Sequence, residues 1–377
     1  MIFDKWFTSK NLCTAIDIGS SKITCCVMKK DNNATEVVFT KTYIARGIKN
    51  GNVMHMSQFR DAISNAIMLT EHGINKTIND VCVSIGDIHI AGEQLSHEYV
   101  LADIVHESDI VRFLRQQNTY PGILHLIPLK YKLDEVDYIE NPINMRGRNM
   151  RVDMFRINTS QVNIDNIMAC FQDLNISVNK MYCAQYVASL ITTTEDERRL
   201  GCIIVEIGHH VTTITIFEHG YITYIKTLAI GGQNITRDGC YLLDVHEQEG
   251  EKAKILHGAA IAKIGNKRIP VERFYSNNIE AMYGISGRHL NYVIQCRLEE
   301  IFDLVINEIG RDVMYKGGVV IMIGGVSKTT GIRELAMEHW NKVVRIGSVR
   351  VPGCHAGAIP MAAAVGSANF YLNRTNN

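Results

Sequence analysis

Two stretches of the chain repeat one pattern of apolar and polar positions. Ala15 to Met28 reads AIDIGSSKITCCVM, and Val205 to Phe217 reads VEIGHHVTTITIF. In each, an apolar run carries an acidic residue, then Ile-Gly and a tight turn, then a second run with β-branched residues at alternate positions. That pattern predicts a β-hairpin, and its recurrence predicts two similar halves. Elsewhere the period lengthens to that of a helix. In QVNIDNIMACFQDLNI, residues Ile164, Ile167, Met168, Phe171 and Leu174 share one face at the i, i+3, i+4, i+7 spacing. SQFRDAISNAIMLTEHG predicts a second helix, with Ser57 as its N-cap and Gly73 as its stop. VIQCRLEEIFDLVINEIG predicts a third, with Val293, Ile294, Ile301, Val305 and Ile309 on its apolar face. Strands alternating with helices give an α/β fold.

A third glycine turn lies in VVIMIGGVSKTTGIRELA, where a buried strand runs into Gly324-Gly325 and a helix starts near Gly331. Glycines that follow a strand let the backbone approach a ligand closely and leave amides free to bind it. One glycine pair is equally well a plain turn; three such elements in this order suggest a phosphate site.

Composition narrows the reading. With 377 residues, 46% of them hydrophobic, the chain can fill two or more cores. Lys+Arg and Asp+Glu both number 39, so no global field favours nucleic acid or an anionic surface. The ten cysteines form no CxxC pair, and the start MIFDKWFTSK lacks a signal-peptide core, which together point to a reduced cytoplasm. No apolar run approaches the roughly 18 to 20 residues that cross a bilayer. The first ten residues place Ile2, Phe3, Trp6 and Phe7 on a helical stripe beside Lys5 and Lys10. Such a stripe suits either a short interfacial anchor or aromatic packing onto the first half.

At the three glycine elements the chain resembles the actin, Hsp70 and sugar kinase superfamily, and within it the bacterial cell division FtsA family. GILHLIPLKYKLDE followed by NPINMRGRNMRVDM is similar to a β-rich insert of that family, and TTEDERRLG, LAIGGQNITRDG and GEKAKILHG match further family segments. The resemblance implies an α/β actin-like fold, ribonuclease H-like and duplicated into two lobes. Subdomain 1A would take residues 1–82 and 162–200, an SHS2-like 1C insert 83–161, subdomain 2A 201–238 and 310–377, and subdomain 2B 239–309.

The resemblance also implies ATP and Mg²⁺ as cofactors. Asp17 and Glu206 would hold the metal through water, while Gly19, Ser20, Ser21 and Lys22 would cradle the β and γ phosphates. Gly208 and Gly232 would line the opposite side, Gly324, Gly325 and Ser327 the adenosine, and Glu251 with Lys254 the base and ribose. The second hairpin departs from the family pattern. His209 and His210 replace glycines, Glu206 is one methylene longer than aspartate, and Thr213 stands in place of a second acid. The added side chains crowd amides that would reach phosphate oxygens, although a protonated histidine there would restore part of the lost attraction. Adjacent strand histidines point to opposite faces and have no third ligand, which disfavours a metal site.

Where the family has Glu-Pro, this chain has Ala184 and Gln185. Gln185 can hold a water but cannot act as a base, so at most weak ATPase activity is expected. The implied role is a cytoskeletal adaptor of the division ring on the cytoplasmic face of the inner membrane. The C-terminal tail of the tubulin-like protein FtsZ would dock on 2B at Arg297 and Glu300. The chain would polymerise through 1C and 2B, meet other division proteins through 1C, and bind no nucleic acid. Its final stretch, AAAVGSANFYLNRTNN, has neither the linker nor the basic amphipathic helix by which the family usually reaches the membrane. The alternatives are a nucleotide-free scaffold and, with less support, an ATP-dependent kinase or chaperone. A kinase needs an acceptor pocket with a base, and a chaperone needs a substrate domain.

Overall fold

The computed structural model describes residues 11–31, 34–117, 120–264, 268–269, 285–354 and 359–374. The N-terminal aromatic stripe lies outside the described residues. The first half opens with an antiparallel meander, β1 (Leu12–Ile18), β2 (Lys22–Asp31) and β3 (Ala34–Ile44). A short hairpin, β4 (Ile48–Lys49) with β5 (Asn52–Val53), leads into helix α1 (Met56–Ile74) and strand β6 (Asp80–Ile85), which runs parallel to β1. The chain then leaves for an insert of β7 (Ala91–Val100), α2 (Glu107–Gln117), β8 (Ile123–Leu133), β9 (Val136–Ile139) and β10 (Asn149–Asn158). It returns through α3 (Gln161–Asp173) to β11 (Ser177–Cys183), parallel to β6, and passes through α4 (Ala184–Thr192) and α5 (Glu195–Leu200).

The second half repeats the plan. β12 (Cys202–Ile207), β13 (Thr212–Glu218) and β14 (Tyr221–Leu228) form the meander. Next come α6 (Gly232–Leu243), α7 (Glu247–His257), the two-residue strands β15 (Arg268–Ile269) and β16 (Ile285–Ser286), α8 (Gly287–Ile309) and α9 (Arg311–Lys316). Strand β17 (Val319–Ile323) runs parallel to β12; α10 (Ile332–Trp340), β18 (Val344–Ile346) and α11 (Ala362–Arg374) complete the chain. The strand orders are β3-β2-β1-β6-β11 and β14-β13-β12-β17-β18, the same order twice, as the repeated hairpin pattern predicts. One residue pair, Lys226 with Ala91, joins β14 to the insert sheet β7-β10-β8-β9.

Burial explains the sequence patterns. β1, β2, β12 and β13 are buried almost continuously, as expected for strands covered on both faces. β7 alternates between partly buried and exposed positions, because its sheet has one covered face, packed around Phe113, Met150, Val152 and Met154. Helix α3 buries Ile167 and Phe171 of the expected face, together with Asn163 and Cys170. Helix α8 buries Ile294, Ile301 and Val305.

Three expectations need correction. Ser57 does not cap α1: the helix begins at Met56, behind a backbone cap at His55. It stops at Asn75, in the left-handed region at φ 53°, and not at Gly73, which lies inside the helix. A Cβ on Gly73 would lie 2.4 Å from the Phe39 ring, so close packing, and not termination, requires that glycine. Residues 310–377 do not all belong to the second lobe either. Helix α11 packs on β1, β2, β6 and α4, and its Ala364, Val365, Ala368 and Leu372 are buried in the first core. The small face of α11 allows this approach, since a Cβ on Gly366 would meet the Val187 carbonyl at 2.5 Å.

Three subdomain limits fall inside elements. β6 extends past residue 83 to Ile85 in the first sheet, α3 begins at Gln161, and α6 spans residue 239.

Candidate functional site

Both halves contribute to a cleft of about 490 Å³. Each meander delivers its turn there because the first two strands of a half are antiparallel and end together. In the first half Gly19 N donates to Lys22 O (3.0 Å) and closes the turn. In the second, Gly208 N donates to Val211 O (2.9 Å). Asp17, Gly19, Ser20, Ser21 and Lys22 face Glu206, Gly208 and Gly232, and Glu251, Lys254, Gly324 and Gly325 also line the cleft. Ser327 does not. It is buried, and its Oγ donates to Gly324 O (2.8 Å), bracing the glycine turn from beneath.

The two glycines of that turn differ. Gly324 has φ 88°, and a Cβ on it would lie 2.4 Å from the Ile207 carbonyl oxygen, so only glycine fits. A Cβ on Gly325 would meet nothing within 4 Å. Val326, next in the chain, joins Ile235 of α6, Ile255 and Leu256 of α7 and Ile294 of α8 in an apolar wall, as a flat aromatic base would need.

At the cleft floor two carboxyl groups approach each other. Ser84 Oγ donates to Asp17 Oδ1 (2.9 Å), and burial raises Asp17 to about 7. Burial and then the Asp17 charge raise Glu206 to about 8, and its Oε2 is inaccessible and without a hydrogen-bond partner. An unsatisfied buried oxygen beside a second acid is a site for positive charge. Among the described residues no cluster of three or more His, Cys, Asp or Glu could hold a metal by itself. The pair could therefore hold a divalent ion only if further ligands came from outside the protein.

The histidines are in the turn and not on a strand, so the opposite-face expectation does not hold: their rings lie 4.5 Å apart at 67°. Neither has a left-handed φ, so the replacement of glycine strains no backbone. His209 lines the cleft and His210 does not. Burial pushes His209 below its usual range and His210 down to about 4.

Glu251 and Lys254 are already engaged. Lys254 Nζ donates to Glu251 Oε2 (2.6 Å), Thr236 Oγ1 (2.8 Å) and Gly232 O (3.0 Å), and Thr236 Oγ1 also donates to Glu251 Oε2. Burial alone would raise the Glu251 carboxyl, but the bonds from Lys254 and Thr236 hold it below its ordinary value. Arg297 is similarly committed. Its fork clasps Asp238 at 2.6 and 2.9 Å and also reaches Glu300, tying α8 to α6. Gln185 is buried, not in the cleft lining, and its amide fills the space where Gly86 has no Cβ.

Ser84, Thr236, Thr24 and Lys328 belong to the site region without a sequence signal. Ser84 meets Asp17 only because β6 aligns with β1 in parallel register, and pattern along one strand does not reveal that alignment. Several matched segments hold elements together instead. Thr194 and Glu197 form a capping box on α5, and Glu197 grips Arg345 at 2.6 and 2.7 Å. His125 Nε2 accepts from Cys183 N (2.9 Å), rooting the insert on the first lobe.

Two duplicated sheets, with glycine turns from both meeting in one cleft, define an actin-like protein. The PilM-PilN type IV pilus biogenesis complex matches 96% of this chain and 98% of its own, with a TM-score of 0.67 at 13% identity. MreB5 of Spiroplasma citri bound to ADP matches 97% and 99%, with a TM-score of 0.59 at 11% identity. The family model "Cell division protein FtsA" matches residues 203–366, and "SHS2 domain inserted in FTSA" matches 88–157. Cell division protein FtsA of Agrobacterium fabrum is 24% identical over 363 residues, covering 89% of this chain and 81% of that protein. The chain belongs to the FtsA family of cell division proteins.

Proposed function

We propose that the chain is an ATP-binding adaptor of the division ring, with Mg²⁺ as its ion and little or no turnover. The observation that carries the reading is the cleft floor, where Asp17 and the unpartnered Glu206 Oε2 stand between the glycine turns of both lobes. Asp17 and Glu206 would hold the ion through water, and it would neutralise charge on the phosphates. Gly19, Ser20, Ser21 and Lys22 would seat the phosphates against Gly208 and Gly232. Gly324 and Gly325, braced by Ser327, would leave room for adenosine over the apolar wall. Glu251 and Lys254 would close that wall, and their self-contained network would have to yield one bond to a ribose hydroxyl. Burial of Gln185 outside the cleft lining supports binding without efficient hydrolysis.

In this reading the FtsZ tail docks on 2B near Arg297 and Glu300. The chain assembles with itself through 1C and 2B, meets other division proteins through 1C, and works at the cytoplasmic face of the inner membrane. Calorimetric titration of Mg-ATP into the full chain, followed by the FtsZ tail peptide, tests both halves. Micromolar ATP binding is expected. Tail binding without any nucleotide binding would leave a nucleotide-free scaffold, the reading favoured by the pre-satisfied Glu251–Lys254 network.

A further inference from the structure

Three amides on this side of the cleft are committed within the protein. Gly208 N is bonded to Val211 O (2.9 Å), Gly232 N to Gly208 O (2.9 Å), and Gln233 N to His209 O (2.7 Å). These bonds fold the turn onto the start of α6, so these three amides hold its shape. This side also brings His209 to the cleft, in a lining it shares with Gly208, Gly232 and Lys22, and Lys22 is close enough to act on its charge. His210 is the contrasting case. It is outside the cleft lining, and its Nδ1 is buried without a partner.

We infer that the His209 imidazole is a phosphate ligand, donating to the outer phosphates of the nucleotide from the place where glycine amides would otherwise reach them. The inference rests on the nucleotide reading above and assigns one residue within it. The charged groups around His209 are Glu251, Lys254 and Glu247 from α7, and Lys22 from β2, with His210 adjoining. Glu251 is bonded to Lys254 and Thr236 and Glu247 to Gln233, so neither acid is hydrogen-bonded to the imidazole. An arriving phosphate supplies the anion that would favour its charged form, and N–H donors that carry charge make the stronger bonds to phosphate. Free His209 is held below its usual range by burial. Phosphate binding should therefore draw a proton onto the ring, and the share of the affinity that depends on His209 should fall as pH rises.

The test compares ATP, ADP and AMP by calorimetry in Mg²⁺ at pH 6 and pH 8, in two buffers of different ionisation enthalpy. It uses the full chain, His209→Gln and His210→Gln. Expected are more protons taken up, or fewer released, on ATP binding by the native chain than by His209→Gln, a difference absent with AMP, and about a tenfold loss of ATP affinity in His209→Gln at pH 6. AMP affinity should be unchanged in that variant, and His210→Gln should behave as native. The carboxyls of Asp17 and Glu206 titrate in all three proteins alike, so they cancel in the comparison. An unaltered ATP preference in His209→Gln, or the same loss in His210→Gln, would overturn the assignment. So would equal loss of AMP and ATP, which makes the residue structural. No nucleotide binding by the native chain at either pH overturns the nucleotide reading itself, a result distinct from binding that ignores His209.

Discussion

The Glu206→Gln substitution probes the cleft floor most directly. In the folded chain Glu206 stands at about 8 against an ordinary 4.5. Its folded value is above its unfolded one, so between those limits the folded state holds more protons. Stability then falls as pH rises through that window and levels off above it. At 1.36 kcal/mol per pH unit, a fully realised difference would cost roughly 5 kcal/mol above pH 8. Part of it is repulsion from Asp17, which itself stands at about 7, and water entering the cleft screens the pair. We expect about 2 to 3 kcal/mol to be observed. The assay is urea unfolding in EDTA from pH 4.5 to pH 9. Native protein and Glu206→Gln should agree near pH 4.5, and the variant should become the more stable by that margin at pH 9. In a parallel series without EDTA, Mg-ATP should narrow the gap by stabilising the native chain. Parallel pH profiles would refute the claim that these two carboxyls oppose each other at the floor of the cleft.

Two further substitutions separate backbone geometry from the polar network. Gly324→Ala places a Cβ 2.4 Å from the Ile207 carbonyl at φ 88° and should lower stability by about 2 to 4 kcal/mol in thermal or urea unfolding. Gly325→Ala, with open space around it, should stay within about 0.5 kcal/mol of native and should lower nucleotide affinity instead. Asn163→Ala removes the buried amide that bonds Gly51 O (3.0 Å), Asp87 Oδ2 (2.9 Å) and Val53 N (3.1 Å). It should cost about 2 to 4 kcal/mol in urea unfolding, and a loss below about 0.5 kcal/mol would show that the network at the root of the insert carries no weight.

The sequence by itself determined the repeated hairpins, the periodic helices and the three glycine turns. These features are local, and they survive because each half buries its central strands on both faces and its glycines answer to backbone contacts nearby. From them the two-lobed α/β plan could be read, and the family resemblance they carry pointed to several cleft-lining positions, including Asp17, Glu206 and Gly324. Tertiary structure decided matters that depend on registers and crossovers between distant segments. Parallel alignment of β6 with β1 set Ser84 beside Asp17. The return of α11 to the first core moved the end of the chain out of the second lobe. Thr236 tied Glu251 and Lys254 into a closed network, and Asp238 claimed Arg297. The hairpin turn also made the adjacent histidines unequal, placing His209 in the cleft lining and leaving His210 outside it. In each case the partner lies far along the chain or depends on the precise turn. Periodicity can place a residue on a face, but it cannot choose what that face meets.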